Sequence, residues 1–519
     1  MTHPTVSQSS DRGVLIGIAL VLLAYGVAAF AGWPQRGAEM VAQEAPSAHG
    51  PSQEAEPAGP PAHPPLWTVL PFVLLLGGIA LLPLLPQTTH WWESNLHRLS
   101  VAAGLGAITL LVYLFLYEHP VESHWPVKAV VEPVAGGPNL GTTAAVLGNA
   151  ILNEYVPFII LLFSLYTISG GIRIEGDLPA RPLTNSAFLA IGGTLASFIG
   201  TTGAAMLLIR PLLETNRERK RVVHTVVFFV FVVCNCGGCL LPLGDPPLFL
   251  GYLRGVPFLW TLRLWPEWLF VNGTLLAVYY LWDRFWAYPR EARRDVAIDE
   301  TRTHRLRIAG IWPNALLLLG VIFSIAMLDP SKRLPGTDWH PWVYLREVVQ
   351  LGLVGLSLLL GHPATRRQNR FNYHAILEVA ALFFGIFITM QPALQILHVE
   401  GPSLGLATPV HFFWATGSLS SVLDNAPTYV VFMETARSLG NSPGSLPVAG
   451  VAEPLLAAVS LGAVFMGAMT YIGNGPNFMV KAIAEQSGVR MPGFFGYLLY
   501  SLGVLVPVFL VTTRVFLGG

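Results

Sequence analysis

The sequence predicts an all-α polytopic membrane protein made of two inverted repeats, each with a re-entrant hairpin and a broken transmembrane helix. Three observations lead there. The 519-residue chain is 53% hydrophobic and only 12% charged, about half the charge of a typical soluble domain, and its mean hydropathy is +0.55. Apolar runs long enough to cross a bilayer recur from one end of the chain to the other. Two of these runs break at polar clusters rich in Gly and Pro: Cys234–Phe249 (CNCGGCLLPLGDPPLF) in the first half and Gly473–Asn477 (GNGPN) in the second. Freed backbone groups at membrane depth need partners, so such breaks occur only against protein or a polar cavity.

Taken in order, Val14–Ala31 is apolar and follows Arg12. It reads equally as a first transmembrane helix or as a signal peptide, with Ala29-Phe30-Ala31 resembling a small-residue cleavage site. Trp33–Pro65 is rich in Pro, Ala, Gly, Ser and Glu, lacks an apolar pattern and reads as a disordered linker. Spans follow at Leu66–Leu85, Leu99–Tyr117 and Ala144–Ile172. Ser186–Leu213 is interrupted at Gly200-Thr201-Thr202-Gly203, and Val222–Phe258 carries the first long break, before Leu264–Trp282. The second half repeats that order. It contains Ile308–Leu328, Trp342–Leu360, Ala375–Leu397, Phe412–Met433 interrupted at Asp424-Asn425-Ala426-Pro427, Leu455–Ala484 with its break, and Phe494–Val511.

Basic residues set the orientation. Arg217, Arg219, Lys220 and Arg221 crowd one short loop; Arg290, Arg293, Arg294, Arg302, Arg305 and Arg307 crowd another; Arg366, Arg367 and Arg370 a third. The positive-inside rule places all three in the cytoplasm. Counting crossings between them turns Ser186–Leu213 into a hairpin entered from the cytoplasm and Phe412–Met433 into one entered from outside. The halves therefore run in opposite senses. A weak internal match agrees, since Glu154–Phe163 parallels Glu378–Phe387, and Leu243-Gly244-Asp245-Pro246-Pro247 parallels Ile472-Gly473-Asn474-Gly475-Pro476. Inverted repeats with interrupted helices at matching positions are the signature of a secondary transporter with its site near the bilayer midplane. The resulting boundaries are residues 1–32 (signal peptide or first helix), 33–65 (periplasmic linker), 66–284 (first repeat), 285–307 (cytoplasmic loop) and 308–519 (second repeat).

At these residues the chain resembles the ion transporter superfamily, and within it the sodium/proton antiporters and citrate transporters. The resemblance runs from Leu66 to Val511. It implies a bacterial inner-membrane protein, a homodimer, and a substrate held between four tips, here Gly200–Gly203, Asp424–Thr428, Cys234–Pro247 and Gly473–Asn477. Dicarboxylate transporters of the superfamily carry Ser-Asn-Thr at their hairpin tips. This chain has Gly-Thr-Thr and Asp-Asn-Ala-Pro-Thr instead, which argues against a dicarboxylate.

The candidate ligands sit at those tips. Asp424, Asn425 and Thr428 offer a carboxylate, an amide oxygen and a hydroxyl suited to Na⁺, although Asp and Asn are equally good helix caps. Asp245, before Pro246, has the same two readings. A carboxylate at membrane depth is a functional-site hypothesis. Its repeat mate Asn474 is neutral. Thr201 and Thr202 bring hydroxyls, and Asn235 and Asn477 bring amides that also serve to glue helices. Glu154 is a proton carrier if buried and an interfacial group if not; Glu378 lies near a basic cluster and reads as interfacial. Arg210 and Lys481 either bind a carboxylate or reach for the membrane surface. Cys234, Cys236 and Cys239 read as small packing residues rather than a soft-metal site. Trp91, Trp92, Trp265 and Trp268 read as interfacial belts.

The expected activity is exchange of Na⁺ or Li⁺ for protons. Asp424, Asn425 and Asn474 hold Na⁺, and Asp245, Asp424 and Glu154 carry protons. The alternative is carriage of citrate or another carboxylate coupled to a cation. No cofactor is expected beyond the transported Na⁺ and H⁺, and the partners are the lipid bilayer and small solutes. With 30 basic and 30 acidic residues, nothing points to nucleic acid. No GxxxxGK[ST] or HExxH motif occurs, so neither ATP-driven transport nor a zinc peptidase is indicated.

Overall fold

The computed structural model describes residues 6–44, 63–83, 85–125, 128–134, 136–301, 304–369, 371–440 and 447–518. Residues 45–62 of the expected linker, and Arg302 and Arg370 of the basic loops, lie outside these. The described chain is mostly helical, as it must be where no water satisfies the backbone. Three two-stranded antiparallel ladders are additions to the all-α expectation: Val121–Ser123 with Ala129–Val131, Arg173–Asp177 with His304–Ala309, and Pro447–Val448 with Val451–Ala452. All three lie in connections between apolar helices.

Two compact units emerge, and each draws on both halves of the sequence. One comprises Met1–Gly171 and Trp312–Val399, the other Ile172–Ile311 and Glu400–Gly519.

In the first unit, helix Val6–Phe30 docks through Tyr25, whose hydroxyl donates to Val343 O (3.0 Å), and through Asp11, which accepts from Tyr373 OH (2.8 Å). The expected linker is not wholly irregular. Trp33–Glu44 is a helix, and it is held because Val343 N donates to Pro34 O (3.3 Å) while Ala38 is buried. Helices Asn95–Phe115 and His374–Thr389 approach closely, with Gly385 against the Ala102 backbone. Arg98 meets Glu378 at 3.0 Å. The long apolar helix Leu140–Ser169 contains a π-helical stretch, Gly148–Tyr155, where Leu152 O accepts from Tyr344 OH (2.8 Å). Arg366 is buried rather than solvated: it donates to Thr167 O (2.6 Å) and Ser357 O (3.2 Å), satisfying the last carbonyls of two helices.

The second unit holds both interrupted segments. Pro182–Ile199 (18 residues) and Thr201–Thr215 (15 residues) form a helical hairpin. Gly200 turns the corner at φ 80°, a conformation open to Gly without steric cost. At the other end Asn185 and Asn216 exchange two amide hydrogen bonds, each 2.8 Å. Both ends of the hairpin thus lie together. The second hairpin is Pro409–Ser420 and Asn425–Ser438. Each first arm packs on a broken span through glycines that leave no room for a side chain: Gly193 against Gly237 in the first break, and Gly462 against the backbone of Phe413 and Gly417. Arg219 is buried too, paired with Asp283, which also meets His224 Nε2 at 3.0 Å and accepts from Tyr279 OH (3.4 Å); Glu291 accepts from the backbone N of Lys220 (3.1 Å) and Arg221 (2.8 Å).

Because Asn185 and Asn216 satisfy each other, Asn185→Leu should strand a buried amide and lower stability by about 1–3 kcal/mol. Thermal unfolding in detergent measures this, and Asn185→Leu/Asn216→Leu together should recover part of the loss.

Candidate functional site

The breaks are built so that two helices start inside the unit. The first broken span runs Val223–Val232, then a short turn at Cys236–Cys239, then Pro246–Leu253; the second runs Glu453–Met466, Gly467–Met469, Gly475–Gln486. Each break is drawn tight by glycines. A Cβ on Gly244 would strike Gly238 O, and one on Gly473 would strike Gly467 O. The spacing is the same in both halves. Thr201 N donates to Gly244 O (2.8 Å), tying the first hairpin tip to the first break.

Asp245 stands at the centre of this arrangement. It is 1% exposed. It occupies the N-cap position of Pro246–Leu253, yet its carboxylate makes no capping bond. Three neutral side chains from three other tips donate to it instead. Thr201 Oγ1 (3.1 Å) and Asn474 Nδ2 (3.0 Å) reach Oδ1, and Asn425 Nδ2 (2.6 Å) reaches Oδ2. Thr201, Asn425, Pro246 and Gly475 are each the first residue of a helix, so four helix N-termini, with their partial positive charge, gather around one carboxylate.

Behind it runs a ladder of amides. Asn474 Nδ2 also donates to Cys234 O (3.0 Å) and Asn235 Oδ1 (3.2 Å). Asn235 Nδ2 donates to Asn477 Oδ1 and to Val230 O, both 2.8 Å. Asn477 Nδ2 donates to Gly467 O (2.8 Å) and Thr470 O (2.9 Å). All three asparagines are buried.

The chain matches, over residues 62–517, a family described as "Putative citrate transport". It belongs to that family. More distant likeness is to the P proteins of Mus musculus and Sus scrofa, 28% and 26% identical over 200 residues, which is 36% of this chain and 23% and 22% of those proteins. The chain spans under a quarter of the length of these curated relatives. It is therefore a multi-pass membrane protein of a transporter family.

The two tip aspartates play different parts. Asp424 caps its own helix, accepting from Ala426 N (3.1 Å), and is partly exposed. Thr428 is buried but bonds within its helix, to Asp424 O (2.9 Å). Thr202 is half-buried and is not among the donors to Asp245. Glu154 is buried, on the π-helical stretch of the first unit. Lys481 pairs with Glu485 (3.0 Å) one turn along its helix, beside the Tyr471 ring.

Several residues that satisfy the breaks carry no motif of their own. Thr470 donates to Ser421 O (2.5 Å) and accepts from the backbone N of Ile472 (3.1 Å) and Gly473 (3.2 Å), pinning the second hairpin tip to the second break. Ser197 Oγ donates to Gly237 O (2.6 Å) and accepts from Leu240 N (3.1 Å). Trp268, expected in an interfacial belt, is half-buried and donates to Gly237 O (3.0 Å), and Asn272 donates to Cys236 O (3.1 Å). Trp92, expected in the same belt, is buried, whereas Trp91 and Trp265 are exposed. The signal for these partners is a demand rather than a pattern: each freed carbonyl needs a donor.

Thr470→Val keeps the shape and removes three hydrogen bonds. It should lower the melting free energy by about 1–3 kcal/mol, with Thr470→Ser close to wild type when both are unfolded thermally in detergent.

Proposed function

We propose that this protein is a secondary active transporter in which Asp245 alternately holds a proton and a small monovalent cation, most simply Na⁺ or Li⁺. The observation carrying this reading is the donor set around Asp245, three neutral side chains and four helix N-termini. Such surroundings stabilise a buried charge without cancelling it, so the carboxylate keeps the capacity to take a cation. A permanent salt bridge would have consumed that capacity.

In this reading the two hairpins are re-entrant and the two halves are inverted repeats. Asp245, Thr201, Asn425 and Asn474 form the inner shell, Asn235 and Asn477 fix the shell to the broken spans, and Asp424 shapes the second tip. Deprotonation of Asp245 creates the cation site and protonation empties it, so Na⁺ binding weakens as pH falls. Alternating access around that site couples the two fluxes. Glu154, buried on a π-helical stretch of the kind often found at functional sites, is a second candidate on the proton route. The membrane is the bacterial inner membrane, and the arginine-rich loops face the cytoplasm.

Carriage of citrate or a related carboxylate is the second reading, and the family match favours it. There Asp245 binds the coupling cation, and the helix N-termini receive the anion once the cation has neutralised Asp245.

Everted vesicles from a host lacking its own antiporters separate the two readings. With an imposed proton gradient and a pH-sensitive dye, Na⁺ or Li⁺ should release the gradient, K⁺ should not, and Asp245→Asn should abolish the response. No cation response, with citrate uptake that requires Na⁺ or H⁺, would establish the second reading instead.

A further inference from the structure

The hydrogen bonds to Asp245 are unequal. Oδ1 accepts from both Thr201 and Asn474, while among the described residues Oδ2 accepts from Asn425 Nδ2 alone, at 2.6 Å. The other end of the same amide is open: Asn425 is fully buried, and among the described residues its Oδ1 has no hydrogen-bond partner. A buried amide oxygen without a donor costs free energy. Asn425 is also the first residue of the helix that follows the second hairpin tip, so its side chain links the state of Asp245 to that tip.

We propose that Asn425 is a two-state amide that reads whether Asp245 is loaded. The bond from Nδ2 to Oδ2 belongs to the empty, ionised state of Asp245. When a proton binds, it takes Oδ2, because Oδ1 already has two donors. A carboxyl O–H is a donor and cannot face an N–H. The amide then turns half a revolution about its last side-chain bond, and Oδ1 accepts from the new O–H. Nothing but one proton, exchanged with bulk water, enters or leaves. A bound Na⁺ asks for the same rotamer, since it needs the amide oxygen. The oxygen that lacks a partner in the empty state thus gains one in either loaded state, while Nδ2 gives up its bond to Asp245. The inference rests on Asp245 being the titrating group of the proposed transport cycle.

Acid-minus-alkaline infrared difference spectra of the purified protein in nanodiscs, paired with radiolabelled Na⁺ binding, test this. The expected spectrum contains a protonated-carboxyl C=O band that disappears in Asp245→Asn. In Asn425→Ala that band moves to higher frequency, because the O–H has lost its acceptor, and Na⁺ affinity falls roughly 10- to 100-fold, the loss of one bond to a charged group. Asn425→Ser, whose hydroxyl both donates and accepts, should keep the band near its wild-type frequency and provides a folded comparison. An Asp245-dependent band at the same frequency in all three Asn425 backgrounds overturns the two-state amide and leaves Asp245 as the titrating site. A spectrum with no Asp245-dependent band overturns the transport reading itself.

Discussion

The second unit is arranged around the cost of keeping one carboxylate away from water. An isolated buried carboxylate is prohibitively expensive, and a fixed Arg or Lys partner would offset that cost only by locking the charge in place. Asp245 is compensated differently, by hydroxyl and amide donors from three other tips and by the starts of four helices. Much of the surrounding sequence follows from that choice. Helices must stop and restart in the interior, which requires Pro246, Pro427 and Pro476 near the new starts. Each break must also close tightly on itself, which requires the pairs Gly238/Gly244 and Gly467/Gly473.

Breaking a helix also frees carbonyls, and these are matched one by one. Gly237 O is taken by Ser197 and Trp268, Cys236 O by Asn272, Cys234 O by Asn474, Gly467 O and Thr470 O by Asn477, and Ala468 O by Tyr497. Two of these donors, Asn474 and Asn477, belong to the amide ladder, so the groups that stabilise the breaks and the groups that surround Asp245 share one network. A substitution in that network is expected to affect stability and transport together. The Asn425 amide bonds Asp245 directly and leaves its own oxygen without a hydrogen-bond partner among the described residues, which makes it the place beside the carboxylate where the network has a second arrangement available.

The sequence displayed the parts of this site but not their ranking. The four tips were legible because Gly, Pro, Asp and Asn inside apolar runs contradict a membrane helix, and their repetition in order gave two hairpins and two breaks. Asp245, Asn425, Asn474, Thr201, Asn235 and Asn477 were all legible as tip residues. Which aspartate caps a helix and which faces the centre was not legible, because Asp424 and Asp245 both sit just before a helix start and differ only in which way the carboxylate turns. Partner choice across more than two hundred residues, as for Asn235 with Asn477, has no local signal. Nor did local pattern show that each compact unit takes segments from both halves, or that Arg219 and Arg366 are buried against carboxylate and carbonyl partners. A basic loop looks alike whether its arginines are solvated or structural.

The most direct measurement is equilibrium binding of radiolabelled Na⁺ to the purified protein across a range of pH, with Asp245→Asn and Asp424→Asn side by side. Binding that weakens as pH falls, vanishes in Asp245→Asn and survives in Asp424→Asn is the predicted result. Binding that persists in Asp245→Asn, or disappears only in Asp424→Asn, would contradict the account and move the centre of the site to the second hairpin tip.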